Sequence, residues 1–208
     1  RFFIMAKRRG LINKNSVYRS FIKWYNDVEK TLGVEGVFCE ILKYAEYFND
    51  IYKRPVELLD TPLQKPIKEF REILSDMPAP LLLELYAIHK QTERGDEYIT
   101  SNQLAEIISI LNSYLMRRSL CNMDTSDISR YFPDLPRLLL ERCNGVYSDI
   151  VNVFIEVLIS NNRGTPREMP NDKRLVERIK YANMYALRVW IDIFFRKLES
   201  DNNPAPVD

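Results

Sequence analysis

The chain of 208 residues carries a single histidine, His89, and three cysteines, Cys39, Cys121 and Cys143. Histidine is the commonest general base near neutral pH, and nuclease sites of the His-metal kind need at least two. One histidine cannot complete such a site within these residues. His89 falls near the end of an apolar run, where a structural role at a helix terminus is the plainer reading. The cysteines are far apart, odd in number and free of any CxxC pairing, which argues against a disulfide framework or a zinc centre and fits a reducing, cytoplasmic setting. Cys121 follows an arginine pair near a predicted helix C-terminus, where the helix dipole disfavours a thiolate. All three read as small apolar residues. Glu35/Glu40, Glu69/Glu72 and Asp124/Asp127 could pair as carboxylates. No DxD or ExxH spacing supports a metal, so solvated faces and caps explain them more simply. No GxxxxGK[ST] or GxGxxG phosphate cradle is present.

Arginines are the remaining chemistry. Arg117 and Arg118 close the segment ITSNQLAEIISILNSYLMRR. Arg118 lies three residues after Leu115 and seven after Leu111, so it continues their apolar stripe. A guanidinium there must be paired with a carboxylate or backbone carbonyls, because burying it alone costs several kcal/mol. The functional alternative for both is contact with a phosphate or a neighbouring domain. Lys7, Arg8 and Arg9 form the densest basic cluster. It is short and lacks interleaved aromatics, so a solvated helix terminus describes it better than a nucleic-acid signature.

The elements that must position these groups are helical. Hydrophobic residues make up 46% and charged residues 28%, an ordinary globular composition, and six glycines in so long a chain favour helices. A net charge of +1 gives no global pull toward nucleic acid or anionic membranes, so any basic patch must be local. The most apolar stretches, 80–88 and 150–159, contain Glu84 and Glu156 and are too short to span a bilayer. Arg1 is not a natural start, so the chain reads as an excised piece.

Tyr18, Phe21, Ile22, Tyr25 and Val28 fall at helical spacing and run to a glycine stop at Gly33. A second stripe holds Val37, Ile41, Tyr44, Ala45, Phe48 and Tyr52 and ends before Pro55. Thr61, Pro62 and Gln64 give a helix start with Thr61 as cap, followed by a buried stripe of Leu63, Ile67, Phe70 and Leu74. Leu81–Ile88 is apolar on most sides and predicts a central buried helix. Thr100 and Gln103 form a capping box for a helix to about Leu120. Further helices are expected near 125–132, from Pro136 to Asn144-Gly145, around Ile150–Leu158, after a cap at Asn171, and along Leu187, Trp190, Ile191, Phe194 and Leu198. Residues 161–170 read as a loop. The expected fold is all-α, an irregular multi-helix bundle of about eight to ten helices. Residues 1–200 form one helical domain with a candidate subdivision near 95–100, and 201–208 form a linker or tail.

The run ISILNSYLMRRSLCNMDTSDISRYFPDL resembles a segment in the helical middle of the GmrSD-type restriction proteins, where a helix ends in a tyrosine, two arginines and a cysteine before a short helix. Upstream GLINKNSVYRSFIKWY and downstream REMPNDKRLVERIKYANMYALRVWIDIFFRKLES agree in order and spacing, so the resemblance covers most of the chain. In that family a ParB/sulfiredoxin-like nucleotide-hydrolysing domain precedes this region and a His-metal finger nuclease follows it. The resemblance therefore implies a non-catalytic connecting domain between two active parts, with no catalytic residue to carry over. It implies no cofactor in these residues. Its partners would be the flanking domains and, through a local basic patch, DNA, with no membrane. Arg117 and Arg118 match the family segment. A self-contained helical module that binds a protein partner is the alternative, and an enzyme using unordered carboxylates a weaker third.

Overall fold

A computed structural model describes residues 1–91, 98–181, 192–196 and 198–199. Among these residues it is all-helical with no strand. Nine α-helices are α1 (Phe2–Arg8), α2 (Val17–Tyr52), α3 (Thr61–Glu72), α4 (Ala79–His89), α5 (Ser101–Leu120), α6 (Ser126–Tyr131), α7 (Leu135–Cys143), α8 (Ile150–Leu158) and α9 (Asp172–Tyr181). Residues 192–196 are also helical. Leu187, Trp190 and Ile191 of the last expected stripe, and the tail 201–208, lie outside the described residues. So does most of the 91–97 connection.

The helix that is apolar all round takes the centre. All eleven residues of α4 are buried, as a helix without a polar face requires. Helices α1, α2, α5 and α7 pack around it, and α3 lies along α5. One core joins Leu63, Ile67 and Phe70 of α3 to Leu82 of α4, Leu111 of α5 and Phe154 of α8. Each such side chain contributes about 1.5–3 kcal/mol by leaving water. A smaller cluster of Ile4, Met5, Ile12, Trp24 and Val37 seats α1 on α2.

Helix α2 is two arms, residues 17–32 and 34–52, that meet at Gly33. Gly33 has φ 67° and ψ 175°, a conformation essentially restricted to glycine, and a Cβ there would meet nothing within 4 Å. The glycine stop is thus an elbow. In the first arm the buried residue is Trp24, while Tyr18 is 78% exposed.

The start of α3 differs from the expected cap by one residue. Asp60 is the N-cap, Thr61 and Pro62 occupy the first turn, and the Gln64 amide donates to Leu59 O at 3.0 Å rather than closing a box. Its stripe also ends early. The helix stops at Glu72, so Leu74 turns outward with φ 52° and Ile73 is buried in its place. Between α3 and α5, the buried Asn112 amide donates to Pro66 O at 2.9 Å, and its Oδ1 has no hydrogen-bond partner among the described residues.

The capping box of α5 forms as the sequence predicts. Thr100 Oγ1 accepts from Gln103 N at 3.2 Å, and Gln103 Oε1 accepts from Thr100 N at 2.9 Å. Helix α7 ends at Asn144 and Gly145, both with positive φ, and the Asn171 carboxamide caps α9 by accepting from Arg174 N at 2.9 Å.

Candidate functional site

The C-terminal turns of α5 hold the segment that leads into α9. Tyr114 donates its hydroxyl to Arg167 O at 2.7 Å. One helical turn on, Arg118 donates from Nη1 to Glu168 O at 2.8 Å and from Nη2 to Asp124 O at 2.6 Å. Its guanidinium carbon lies 5.5 Å from the centre of the Tyr114 ring. Arg118 is only 2% exposed, so the two carbonyls pair the terminal nitrogens of a charge that the apolar stripe carries inward, while its Nε has no partner among the described residues. Arg117, on the adjoining face, donates to Pro170 O at 3.2 Å and to Asp172 Oδ1 at 2.6 Å. Three side chains of one helix therefore grip three carbonyls of residues 167–170, and the grip reaches the first residue of α9.

The gripped segment is also folded on itself. Asn162 donates to Val157 O and Leu158 O, closing the end of α8, and the Glu168 carboxylate accepts from Gly164 N at 2.9 Å. Arg167 lays its guanidinium 4.7 Å from the Tyr131 ring centre. Between α5, this segment and α9 lies an open cleft of about 590 Å³. It is lined by Arg117, Arg163 and Arg174 together with Glu168 and Asp172. Arg174 pairs with Glu168 at 2.6 Å, whereas Arg163 is exposed and has no carboxylate partner among the described residues. The structure thus separates the adjacent arginines: Arg118 is enclosed in the fold, and Arg117 faces the cleft.

The basic cluster Lys7, Arg8 and Arg9 is distributed over three acids. Lys7 pairs with Glu40 and sits 4.1 Å from the Tyr44 ring centre. Arg8 approaches Asp27 at 3.9 Å and Arg9 approaches Glu84 at 3.8 Å. These contacts dock α1 against α2 and α4. Arg9 also ends α1 in a left-handed conformation, with Gly10 N donating to Met5 O at 3.2 Å.

Glu84 is buried in the central helix and accepts the Tyr44 hydroxyl at 2.9 Å. Burial raises its pKa above the usual carboxylate value, against the Tyr44 bond and the Arg9 and Lys7 charges. A raised pKa means that the folded chain binds this proton more tightly than the unfolded chain. The stabilising contribution is complete below the unfolded value and is lost as pH rises through the folded one. Glu84→Gln keeps an acceptor for Tyr44 and removes the desolvated charge. It is expected to raise Tm at pH 7, by about 2–4 °C for each kcal/mol recovered, and to flatten the decline in stability above the usual glutamate range. Thermal melts across pH 4–8 check this, and a lower Tm at pH 7 would show that Arg9 depends on the charge.

His89 is buried, with Nδ1 2.8 Å from Ile99 O and Nε2 3.3 Å from the Asp60 carboxylate. Ser101 donates to the same Asp60 oxygen at 2.8 Å. A serine, a histidine and an aspartate are therefore near one another, but the aspartate lies between the other two. A nucleophilic triad needs the histidine between them. The Ser101 bond, foremost, lowers the Asp60 pKa. The three groups tie the C-terminal end of α4 to the starts of α3 and α5.

The cysteines are free thiols. Burial raises the pKa of Cys121, although Arg174, Arg178 and Arg117 pull the other way, and burial likewise raises Cys143. Carboxylates from each of the three pairs find partners in the fold. Glu40 meets Lys7, Glu72 meets Arg196, and Asp124 accepts from Ser126. Among the described residues no three His, Cys, Asp or Glu side chains are grouped to hold a metal. No described helix is long and apolar enough to cross a membrane. Tyr114, Arg163 and Arg174 were not singled out from sequence. The signal was there in part, since the loop 161–170 carries Arg163 and Arg167 and the helix after it has Arg174 in its first turn, in a chain of near-zero net charge.

The fold and this grip define an all-helical domain, among the described residues, in which three side chains of α5 fix one loop and the helix after it. No family model, no curated protein and no solved structure matches the chain.

Proposed function

We propose that the chain is a non-catalytic helical connecting domain of the GmrSD-like kind, standing between a nucleotide-hydrolysing domain and a nuclease domain. The observation that carries this reading is the grip of Tyr114, Arg117 and Arg118 on residues 167–172. A connector has to hold its ends in a defined geometry, and the tie from α5 to the start of α9 through backbone carbonyls supports that reading for one of them. Carbonyls bear no sequence information, so the grip suits positioning rather than selection of a substrate. The resemblance supplies the identity of the flanks. The gene region around the chain is expected to encode nucleotide-hydrolysing motifs upstream and a His-metal motif downstream. Assayed alone with nucleoside triphosphates, or with plasmid DNA and Mg²⁺ or Mn²⁺, the chain is expected to release no phosphate and cut no DNA. Reproducible turnover, or a downstream flank without a histidine pair, would overturn the reading.

One observation favours the alternative, a self-contained module for a protein partner. Val34, Phe38 and Leu42 recur every fourth residue on the second arm of α2, and each is about half exposed or more. Phe38→Glu is expected to abolish any self-association or partner capture through this stripe without lowering Tm. Chromatography with light scattering reads the first effect.

A further inference from the structure

A hollow of about 360 Å³ lies where α1 meets the end of α2 and the end of α3, on residues that the connecting role does not use. Four rings run along it in a row. Phe2 stacks toward Phe48 with ring centres 6.5 Å apart, Phe48 stacks on Tyr52 at 4.5 Å, and Tyr52 meets Phe70 edge-on at 5.6 Å. Phe70 is buried, whereas Phe2, Phe48 and Tyr52 are half-buried and keep part of their ring surface uncovered. Aromatic walls with a few placed polar groups are the usual lining of a small-molecule site, and the volume lies within the range of such sites.

The polar groups narrow the choice of occupant. Two residues of the lining, Tyr52 and Ser75, have buried hydroxyl oxygens with no hydrogen-bond partner among the described residues. A buried hydroxyl ordinarily finds a partner, because leaving it desolvated and unmet is unfavourable. Each hydroxyl can both donate and accept. Burial, and after it the charge of Asp76, raises the Tyr52 pKa, so this hydroxyl keeps its proton near neutral pH. Charge on the lining is offset or committed. Lys53 and Asp76 are both exposed there with opposite signs. Arg71 donates to Ile51 O at 2.9 Å and Asp50 O at 2.7 Å, which fixes it against the last turn of α2. The hollow thus offers rings and two unmet hydroxyls, with no unopposed charge at its rim.

We propose that this hollow binds a small, uncharged aromatic molecule of one or two rings that carries a hydroxyl. The ring packs along the row of Phe2, Phe48 and Tyr52, where offset and edge-on arrangements are favourable. The hydroxyl, a donor and an acceptor at once, meets Tyr52 and Ser75 and gives both the partner they lack. The proposal goes beyond the connecting role and does not depend on it.

Calorimetric titration of the whole chain with 2-naphthol tests it. Saturable one-to-one binding is expected with a Kd at or below about 1 mM. Tyr52→Phe and Ser75→Ala are each expected to weaken it roughly three- to tenfold, the loss of one hydrogen bond. Neither hydroxyl has a partner to lose in the unliganded chain, so Tm is expected to stay at or above the wild-type value in both variants. Tyr18→Phe removes the hydroxyl of a tyrosine that is 78% exposed on α2 and is expected to leave the affinity unchanged. A second titration uses 2-naphthoate, which has the same rings and a negative charge, and weaker binding than that of 2-naphthol is expected. Tighter binding of 2-naphthoate overturns the uncharged assignment. Absence of saturable binding by 2-naphthol overturns the proposal. So does an affinity that Tyr52→Phe and Ser75→Ala leave unchanged, or that all three variants weaken equally. The connecting role survives each of these results, because its test is catalysis by the chain and the content of its flanks.

Discussion

Arg118→Ala is expected to destabilise the fold by about 3–5 kcal/mol. Two charge-assisted bonds are lost together, leaving Glu168 O and Asp124 O without the donors they face. The Tyr114 ring also loses the cation beside it. Near this size, each kcal/mol lowers Tm by about 2–4 °C, so a drop on the order of 10 °C is expected by calorimetry. Arg118→Met retains most of the stem and isolates the loss of bonding, and Arg118→Lys retains the charge without the fork that spans two carbonyls. Arg117→Ala provides the contrast. Its partner Asp172 is 85% exposed, so the loss there is expected to stay within about 1 kcal/mol. Hydrogen exchange is expected to quicken in residues 160–172 of the Arg118 variant before it quickens in α4. An Arg118→Ala protein melting within a degree or two of wild type would remove the grip as a structural determinant.

Gly33→Ala is expected to be the next most costly change. The space around Gly33 is open, so no clash contributes, and the penalty of about 1–3 kcal/mol comes from the dihedral angles alone. Alanine can relieve that strain by taking helical angles, which would join the two arms of α2 into one straight helix. Residues 1–32 would then leave their seat on α4 and the second arm, and an identical seat is available on another copy. A lower Tm is therefore expected, together with a dimer whose fraction rises with concentration in sedimentation experiments. Gly33→Ala protein with unchanged Tm and mass would show that the elbow is set by packing and not by the glycine.

The parts legible in sequence were those fixed by near neighbours. Thr100 and Gln103 form their box because both ends of each bond lie within one turn. The all-round apolarity of Leu81–Ile88 placed α4 at the centre, since no face of it could meet water. The shift from Thr61 to Asp60 reflects two adjacent residues that can both cap, with proline tolerated at either of the next two positions. Leu74 kept the helical spacing but lay beyond the end of the helix, where spacing no longer fixes direction. The need for a partner at Arg118 was legible from its place in the stripe. The partner Glu168 was not, because it is fifty residues away and accepts through its backbone. Lys7, Arg8 and Arg9 looked solvated for the same reason: Glu40, Asp27 and Glu84 approach only in the fold. The cleft arginines come from three separate elements and share no local pattern.

The Asn112–Pro66 bond has a consequence for how α3 and α5 find each other. A seam of leucines and isoleucines fits nearly as well after a slip of one turn, because apolar contact has no direction. A buried amide in that seam does not slip freely. Any other alignment takes the buried Asn112 amide away from Pro66 O, at a cost of about 1–3 kcal/mol for the unmet group. One hydrogen bond thereby acts as an index mark between the two rods. It adds little to their adhesion and selects one sliding position among several, much as a single polar residue sets the alignment of a coiled coil.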